Sequence, residues 1–106
     1  MGVTKTDSFS AEQNQIADFA KAFAHPARVA IIQHLLKTQT CICGDLVEVL
    51  PLSQSTVSQH LNELKRIGLI KGAIDGPKVC YCIDHEVWER AKGLLRNILE
   101  SFNTCC

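Results

Sequence analysis

The chain is 106 residues long, the length of a single domain. Hydrophobic residues make up 46% and charged residues 21%, and 11 Lys+Arg against 11 Asp+Glu leave a net charge of zero. That balance excludes a wholly basic nucleic-acid coat and an acidic tail while leaving room for a local basic patch, and no apolar run approaches the ~18 residues that a membrane span needs.

Residues 1–9 are expected to be a flexible N-terminus. They are polar and lack a secretory signal, so a cytoplasmic protein is expected. They also fit the formal myristoylation pattern M-G-x-x-x-T, a match too short to carry weight. Residues 10–24 read as a helix with Ser10 as N-cap and Ile16, Phe19, Ala20 and Phe23 on one face. Pro26 opens a second helix at its tolerated first-turn position, with Arg28 near the start and Val29, Ile32, Leu35 and Leu36 as the apolar stripe. Thr38 to Cys43 reads as a connection, and Gly44 to Leu50 as a short helix ended by Pro51. Ser53 caps the next helix, which runs to about Ile67 with Val57, Leu61 and Leu64 inward, and Gly68 stops it.

The period then changes. Leu69 to Ile74, a turn at Asp75-Gly76-Pro77, and Val79 to Ile83 read as a two-stranded hairpin. A last helix follows from Asp84, with acidic Asp84, Glu86 and Glu89 in its first turns and Val87, Ala91, Leu94, Leu95, Ile98 and Phe102 in one apolar stripe. Residues 103–106 form a cysteine-bearing tail. The order of elements over 10–102 predicts a mainly α domain with a small β-hairpin wing, a winged helix-turn-helix. Its first and last helices carry more apolar surface than this core can cover, which predicts an isologous homodimer.

The string Leu52-Ser53-Gln54-Ser55-Thr56-Val57-Ser58-Gln59-His60-Leu61 says most about function. In a helix-turn-helix the second helix enters the major groove and reads base edges from its N-terminal turns. Ser53, Gln54, Ser55, Thr56, Ser58, Gln59 and Asn62 are the candidate reading residues, with Gln suited to bidentate contact with adenine and the hydroxyls to phosphate oxygens. Lys65, Arg66 and Lys78, with Lys71, supply charge around the helix end and wing. Segment 53–82 holds four Lys/Arg and two Asp/Glu, a local net of +2 that lets a neutral chain hold double-stranded DNA. His60 falls near the buried side and reads as a packing or capping histidine rather than a ligand.

Six cysteines come in three pairs: Cys41-x-Cys43, Cys80-x-Cys82 and Cys105-Cys106. In a reducing compartment close thiol pairs point to soft-metal binding or redox sensing rather than a disulfide framework. By period two, Cys80 and Cys82 share one strand face and Val79, Tyr81 and Ile83 the other, so an apolar inner face leaves the two thiols exposed.

The segment LSQSTVSQHLNELKRIGLI with the following GPKVCYCI, together with HPARVAII from residue 25, resembles the ArsR–SmtB family of winged-helix repressors. The resemblance implies a homodimer that holds operator DNA until an inducer binds. Zinc sensors of that family use Asp and His on the last helix; here Asp84-His85 has no second His downstream, and His25, His34, His60 and His85 are scattered singly. Arsenic- and cadmium-type members carry Cys-x-Cys-Asp-Leu before the recognition helix. This chain has Cys41-Ile42-Cys43-Gly44-Asp45-Leu46, one residue early, which turns a helical side chain by about a third of a turn. The resemblance therefore points to the arsenic-responsive type, with trivalent arsenic or antimony on Cys41, Cys43, Cys105 and Cys106, and Cys80 and Cys82 as further donors. A thiol redox or reactive-sulfur sensor and a cadmium, lead or zinc sensor are the alternatives within the fold. A thiol oxidoreductase is disfavoured by the lack of a C-x-x-C motif and of any βαβ pattern.

Overall fold

Ser10 starts the first helix by satisfying two backbone donors at once. Its Oγ accepts from the Gln13 amide at 3.0 Å, and the Gln13 side chain accepts from the Ser10 amide at 2.9 Å, a reciprocal capping box. In this computed structural model, which describes residues 8–38, 42–43, 50–75 and 78–103 (backbone only at 42–43, 73–75 and 78–79), helix α1 spans Ala11–Lys21. It ends earlier than residue 24 because the amides of Ala22, Phe23 and Ala24 donate three residues back, to Phe19, Ala20 and Lys21, in tighter turns than an α-helix makes.

Helix α2, Pro26–Thr38, has His25 as its cap: the His25 Nδ1 accepts from the Ala27 amide at 3.0 Å. Ala27, Ile31, Ile32 and Leu35 are buried, whereas Leu36 is 40% exposed. The buried stripe is thus rotated from the expected one. Strand β1, Ile42–Cys43, lies in the stretch expected to be mere connection. The short helix expected over 44–50 falls almost wholly outside the described residues.

Helix α3, Gln54–Ile67, and strands β2, Ile70–Asp75, and β3, Lys78–Ile83, follow, and helix α4 covers His85–Glu100. The sheet has three strands in the order β1-β3-β2, not two. β3 is central and antiparallel to both neighbours: Cys43 faces Cys80 and Ile42 faces Tyr81 on one side, while Ala73 faces Cys80 and Lys71 faces Cys82 on the other.

One core joins the four helices, β2 and β3. Phe19, Ile31, Ile32, Leu35, Val57, Leu61, Leu64, Leu69, Ile70 and Ala91 are buried together, with Tyr81, Ile83, Val87 and Trp88 packed against them. Asp84 caps α4 through its carboxylate, which accepts from the Val87 amide at 3.2 Å, and its own amide donates to the Leu69 carbonyl at 2.9 Å. Asp84 therefore has a structural task. Ile98, Leu99 and Phe102 at the far end of α4 are 51%, 76% and 77% exposed. Among the described residues no helix is long and apolar enough to cross a membrane.

Candidate nucleic-acid interface

α3 is defined at both ends by its own residues. Ser53 has extended backbone and its Oγ accepts from the Thr56 amide at 3.4 Å; the same oxygen lies 3.2 Å from Ser55 Oγ and 3.0 Å from Thr56 Oγ1. Three hydroxyls thus gather at the positive end of a helix, where backbone N–H groups favour an anion. At the other end Gly68 adopts φ 98°, a left-handed conformation that any side chain would strain, and its amide donates to the Leu64 carbonyl at 3.0 Å.

The helix is divided lengthwise. Val57, His60, Leu61 and Leu64 are buried. Gln54, Ser55, Ser58, Gln59, Asn62, Lys65 and Arg66 are exposed, Ser53 with them, and Thr56 is half-buried. Lys71 on β2 is also exposed, and Lys78 opens β3, its side chain outside the described set. Arg66 has partners of its own. Its guanidinium meets Glu63 in a two-point pair at 2.6 and 3.1 Å and reaches Asp18 of α1 at 3.9 Å. The Arg66 hydrogen bond holds the Glu63 carboxyl below its ordinary pKa, and Glu63 raises that of Arg66. Such surface pairs are worth little, so a phosphate can compete for this guanidinium.

Behind the helix lies a polar joint that the sequence alone did not disclose. Arg28 Nε donates to His60 Nδ1 at 3.1 Å, and Arg28 Nη1 donates at 2.7 Å to the Lys21 carbonyl at the end of α1, which also accepts the Ala24 amide at 3.3 Å. One side chain therefore ties α1, α2 and α3 together. The His25 ring lies 4.5 Å from that of His60. The available clue was a cation in the first turn of a helix, where the dipole disfavours it.

Burial, then the nearby His25 and Arg28, lower the His60 pKa below 6.5. A depressed value means that the unfolded chain takes up the proton first as pH falls. The stability contributed by neutral His60 is present above about pH 6.5 and is lost as pH falls through its lower folded value. The urea midpoint should therefore drop between pH 7.5 and 5.5, and His60→Gln should flatten that drop while lowering the midpoint at pH 7.5. An unchanged pH profile in the variant would show that another group titrates.

The thiols are distributed unevenly. Cys41, Cys105 and Cys106 lie outside the described residues, and Cys43 is described only as backbone in β1. Cys80 and Cys82 are not an exposed pair: Cys80 is 5% exposed and Cys82 half-buried. On its face of the central strand Cys80 lies between positions 43 and 73 of the two neighbouring strands, and both cysteines are disulfide-bonded. Among the described residues no group of three or more His, Cys, Asp or Glu could hold a metal ion.

Residues 25–71 match the family described as "Bacterial regulatory protein, arsR family". The chain is 30% identical over 96 residues to the HTH-type transcriptional regulator YgaV of Escherichia coli, covering 91% of this chain and 97% of that one. It is 32% identical over 92 residues to the HTH-type transcriptional regulator CmtR of Mycobacterium bovis, 87% of this chain and 77% of that one. Among solved structures, HlyU from Vibrio cholerae is similar with a TM-score of 0.67 at 31% identity, over 83% of this chain and 96% of that one. With the capped polar helix, its glycine stop and the three-stranded wing in place, the chain belongs to the arsR family of bacterial regulatory proteins and is a DNA-binding transcriptional regulator.

Proposed function

We propose that the protein is a metalloregulatory repressor that holds operator DNA as a homodimer and lets go when trivalent arsenic or antimony binds cysteine thiolates. The observation that carries the DNA-binding part is the outward face of α3, polar from Gln54 to Arg66 on a helix whose other face is core. Gln54, Ser55, Ser58, Gln59 and Asn62 read base edges; Ser53, Thr56, Lys65, Arg66 and Lys78 position the backbone. Gln59→Ala should weaken operator binding by about 1–3 kcal/mol, roughly 5- to 150-fold, for each lost bidentate base contact. Binding to random DNA should change far less, and an equal loss on both would make Gln59 a phosphate contact.

The dimer is supported by the exposed apolar end of α4 and by a groove of about 550 Å³ between Phe23, Trp88, Leu95 and Leu99. Two recognition helices about one DNA turn apart, ~34 Å, would then read the two halves of one operator. Thiolates suit a soft ion, and Cys41, Cys43, Cys105 and Cys106, with Cys80 and Cys82, are the donors on offer. For the ion to free DNA it must favour the arrangement that does not fit the operator, and a coupling of ~1–3 kcal/mol loosens the complex some 5- to 150-fold.

A second reading is favoured by one specific observation, the disulfide-bonded state of Cys80 and Cys82: a repressor of the same fold released by thiol oxidation. Fluorescence anisotropy of a labelled promoter fragment on fully reduced, anaerobic protein separates the two. Release by arsenite but not by zinc supports the soft-ion sensor. Retention with every ion, and release by peroxide or polysulfide with rescue by reductant, makes the cysteines a redox switch.

A further inference from the structure

Each ring of the His25–His60 pair uses its Nδ1 as an acceptor. His25 Nδ1 takes the Ala27 amide at 3.0 Å and so caps α2, and His60 Nδ1 takes Arg28 Nε at 3.1 Å. Neither partner can reverse its role, because an amide nitrogen and a guanidinium only donate. Both imidazoles are therefore neutral, with their hydrogen on Nε2, since a histidinium donates from both nitrogens and accepts from neither. A proton added to either ring lands on Nδ1, where a hydrogen already points. On His25 it ends the cap of α2; on His60 it ends the tie from Arg28.

The surroundings do not favour such a proton. His60 is buried, its ring lies 4.5 Å from that of His25, and the charges that act on it are His25 and Arg28. From α1 come Asp18 and Lys21, which pair at 3.8 Å, and from α3 Glu63 and Arg66, which pair at 2.6 Å, with Lys65 exposed beside them. β2, which also packs on α3, brings exposed Lys71. Both carboxylates of this shell are thus already matched by cations, and a histidinium gains no counter-ion of its own. Burial, His25 and Arg28 accordingly push the His60 pKa down. His25 is exposed and opens the pair to solvent.

We infer that the joint of His25, His60 and Arg28 makes operator binding proton-sensitive: a proton taken up by the two rings undoes a tie that aims α3, and operator DNA is released without any inducer. The inference rests on the reading of α3 as the helix that meets DNA, and it adds an input that needs no cysteine. Its sign follows from the proton count. The arrangement that fits DNA keeps both rings neutral and so binds fewer protons than the untied one, and falling pH favours the latter. One proton changes the affinity by at most about tenfold per pH unit. The path to DNA is short. His60 lies on the inner face of α3, next in sequence to Gln59 on the outer face, and Arg28 joins it to the Lys21 carbonyl at the end of α1. With the bond to Arg28 gone, α3 keeps its apolar packing through Val57, Leu61 and Leu64. The domain stays folded while the helix loses this hold on its position.

Full-length protein, reduced and free of added metal, is titrated onto a labelled promoter fragment by anisotropy from pH 7.5 to 5.5 at constant ionic strength. Random DNA of equal length runs beside it, and Trp88 fluorescence reports that the fold is intact. Operator affinity should fall by at least about fivefold over that range. Random DNA should bind no more weakly, because the chain gains positive charge as pH falls. His60→Asn places an oxygen acceptor that does not titrate near the position of Nδ1, so it should bind operator at pH 7.5 much as the wild type does and lose most of the slope. Arg28→Gln breaks the tie at every pH and should bind at pH 7.5 about as weakly as the wild type does at pH 5.5. Because a change at buried His60 can impair folding, nitrogen NMR of the wild-type imidazoles reads the same joint directly. Both rings should carry hydrogen on Nε2 alone at pH 7.5, and one should gain its second proton where operator DNA is lost. Operator affinity that is flat with pH, or that falls in parallel with random DNA, would overturn the joint and leave α3 as the reading helix. So would a slope that survives in both variants, or a ring found with hydrogen on Nδ1 at pH 7.5. A protein that prefers the promoter fragment over random DNA at no pH would overturn the reading of α3 itself.

Discussion

Replacing Leu64 by alanine should lower the free energy of unfolding by about 3–5 kcal/mol, the range for a buried leucine whose site cannot collapse. Leu64 is fully buried, on the inner face of α3 and within the cluster that also holds Ile31, Leu35 and Leu69. Its carbonyl also accepts the Gly68 amide, a bond that alanine keeps, so the loss isolates packing. For a domain whose whole stability is of order 5–15 kcal/mol, this removes a large share. Asn62→Ala, exposed on the same helix, should stay within about 0.5 kcal/mol. Urea unfolding of the two variants side by side makes the comparison. A Leu64→Ala loss below about 1 kcal/mol is incompatible with a filled site of this kind. The expected contrast also says that the reading helix is a core helix, so its aim is set by the interior of the domain.

Leu99→Asp should turn the protein into a monomer and reduce operator affinity by some 10²–10⁴-fold, the gain that linking two binding modules supplies. Leu99 is 76% exposed, so a charge there costs the single chain little. Across a two-fold interface each substitution appears twice and buries two carboxylates against apolar neighbours. Size-exclusion chromatography with light scattering gives the mass, and anisotropy on a full operator and on one half-site gives the affinity. The monomer should bind the half-site as the wild type does and lose only the advantage of the full operator. A variant that remains dimeric places the interface on another face.

The elements that were legible in the sequence are those whose boundaries are written locally. Ser53 and Gly68 bracket α3, Pro26 opens α2, and Asp84 caps α4, each through chemistry that needs only its near neighbours. The polar face of α3 was legible for the same reason, being a matter of 3.6-residue spacing. What escaped is what depends on distant residues. β1 is two residues long and has no period to detect; its existence is a pairing with β3, some 40 positions away. The burial of Cys80 follows from that pairing and was hidden with it. Leu36 and Ile31 both fit a helical stripe, and only the direction from which α3 and the sheet approach decides that Ile31 is buried. The Arg28–His60 bond likewise joins positions 32 apart.

The hydrogen bond from the Asp84 amide to the Leu69 carbonyl has a mechanical consequence. It joins the first residue before α4 to the second residue after α3, and at Gly68, where α3 stops, a Cβ would meet Val87 Cγ1 of α4 at 3.6 Å. The two helices are joined at one corner, so in the proposed dimer a swivel of one α4 against its mate would pass to the reading helix as a change of aim. A dimer of this kind would not have to loosen to let go of its operator. A rigid pair of heads set out of phase with the helical repeat of DNA cannot sit in both grooves at once, and a small angular error shared by two well-folded halves is enough to end the contact.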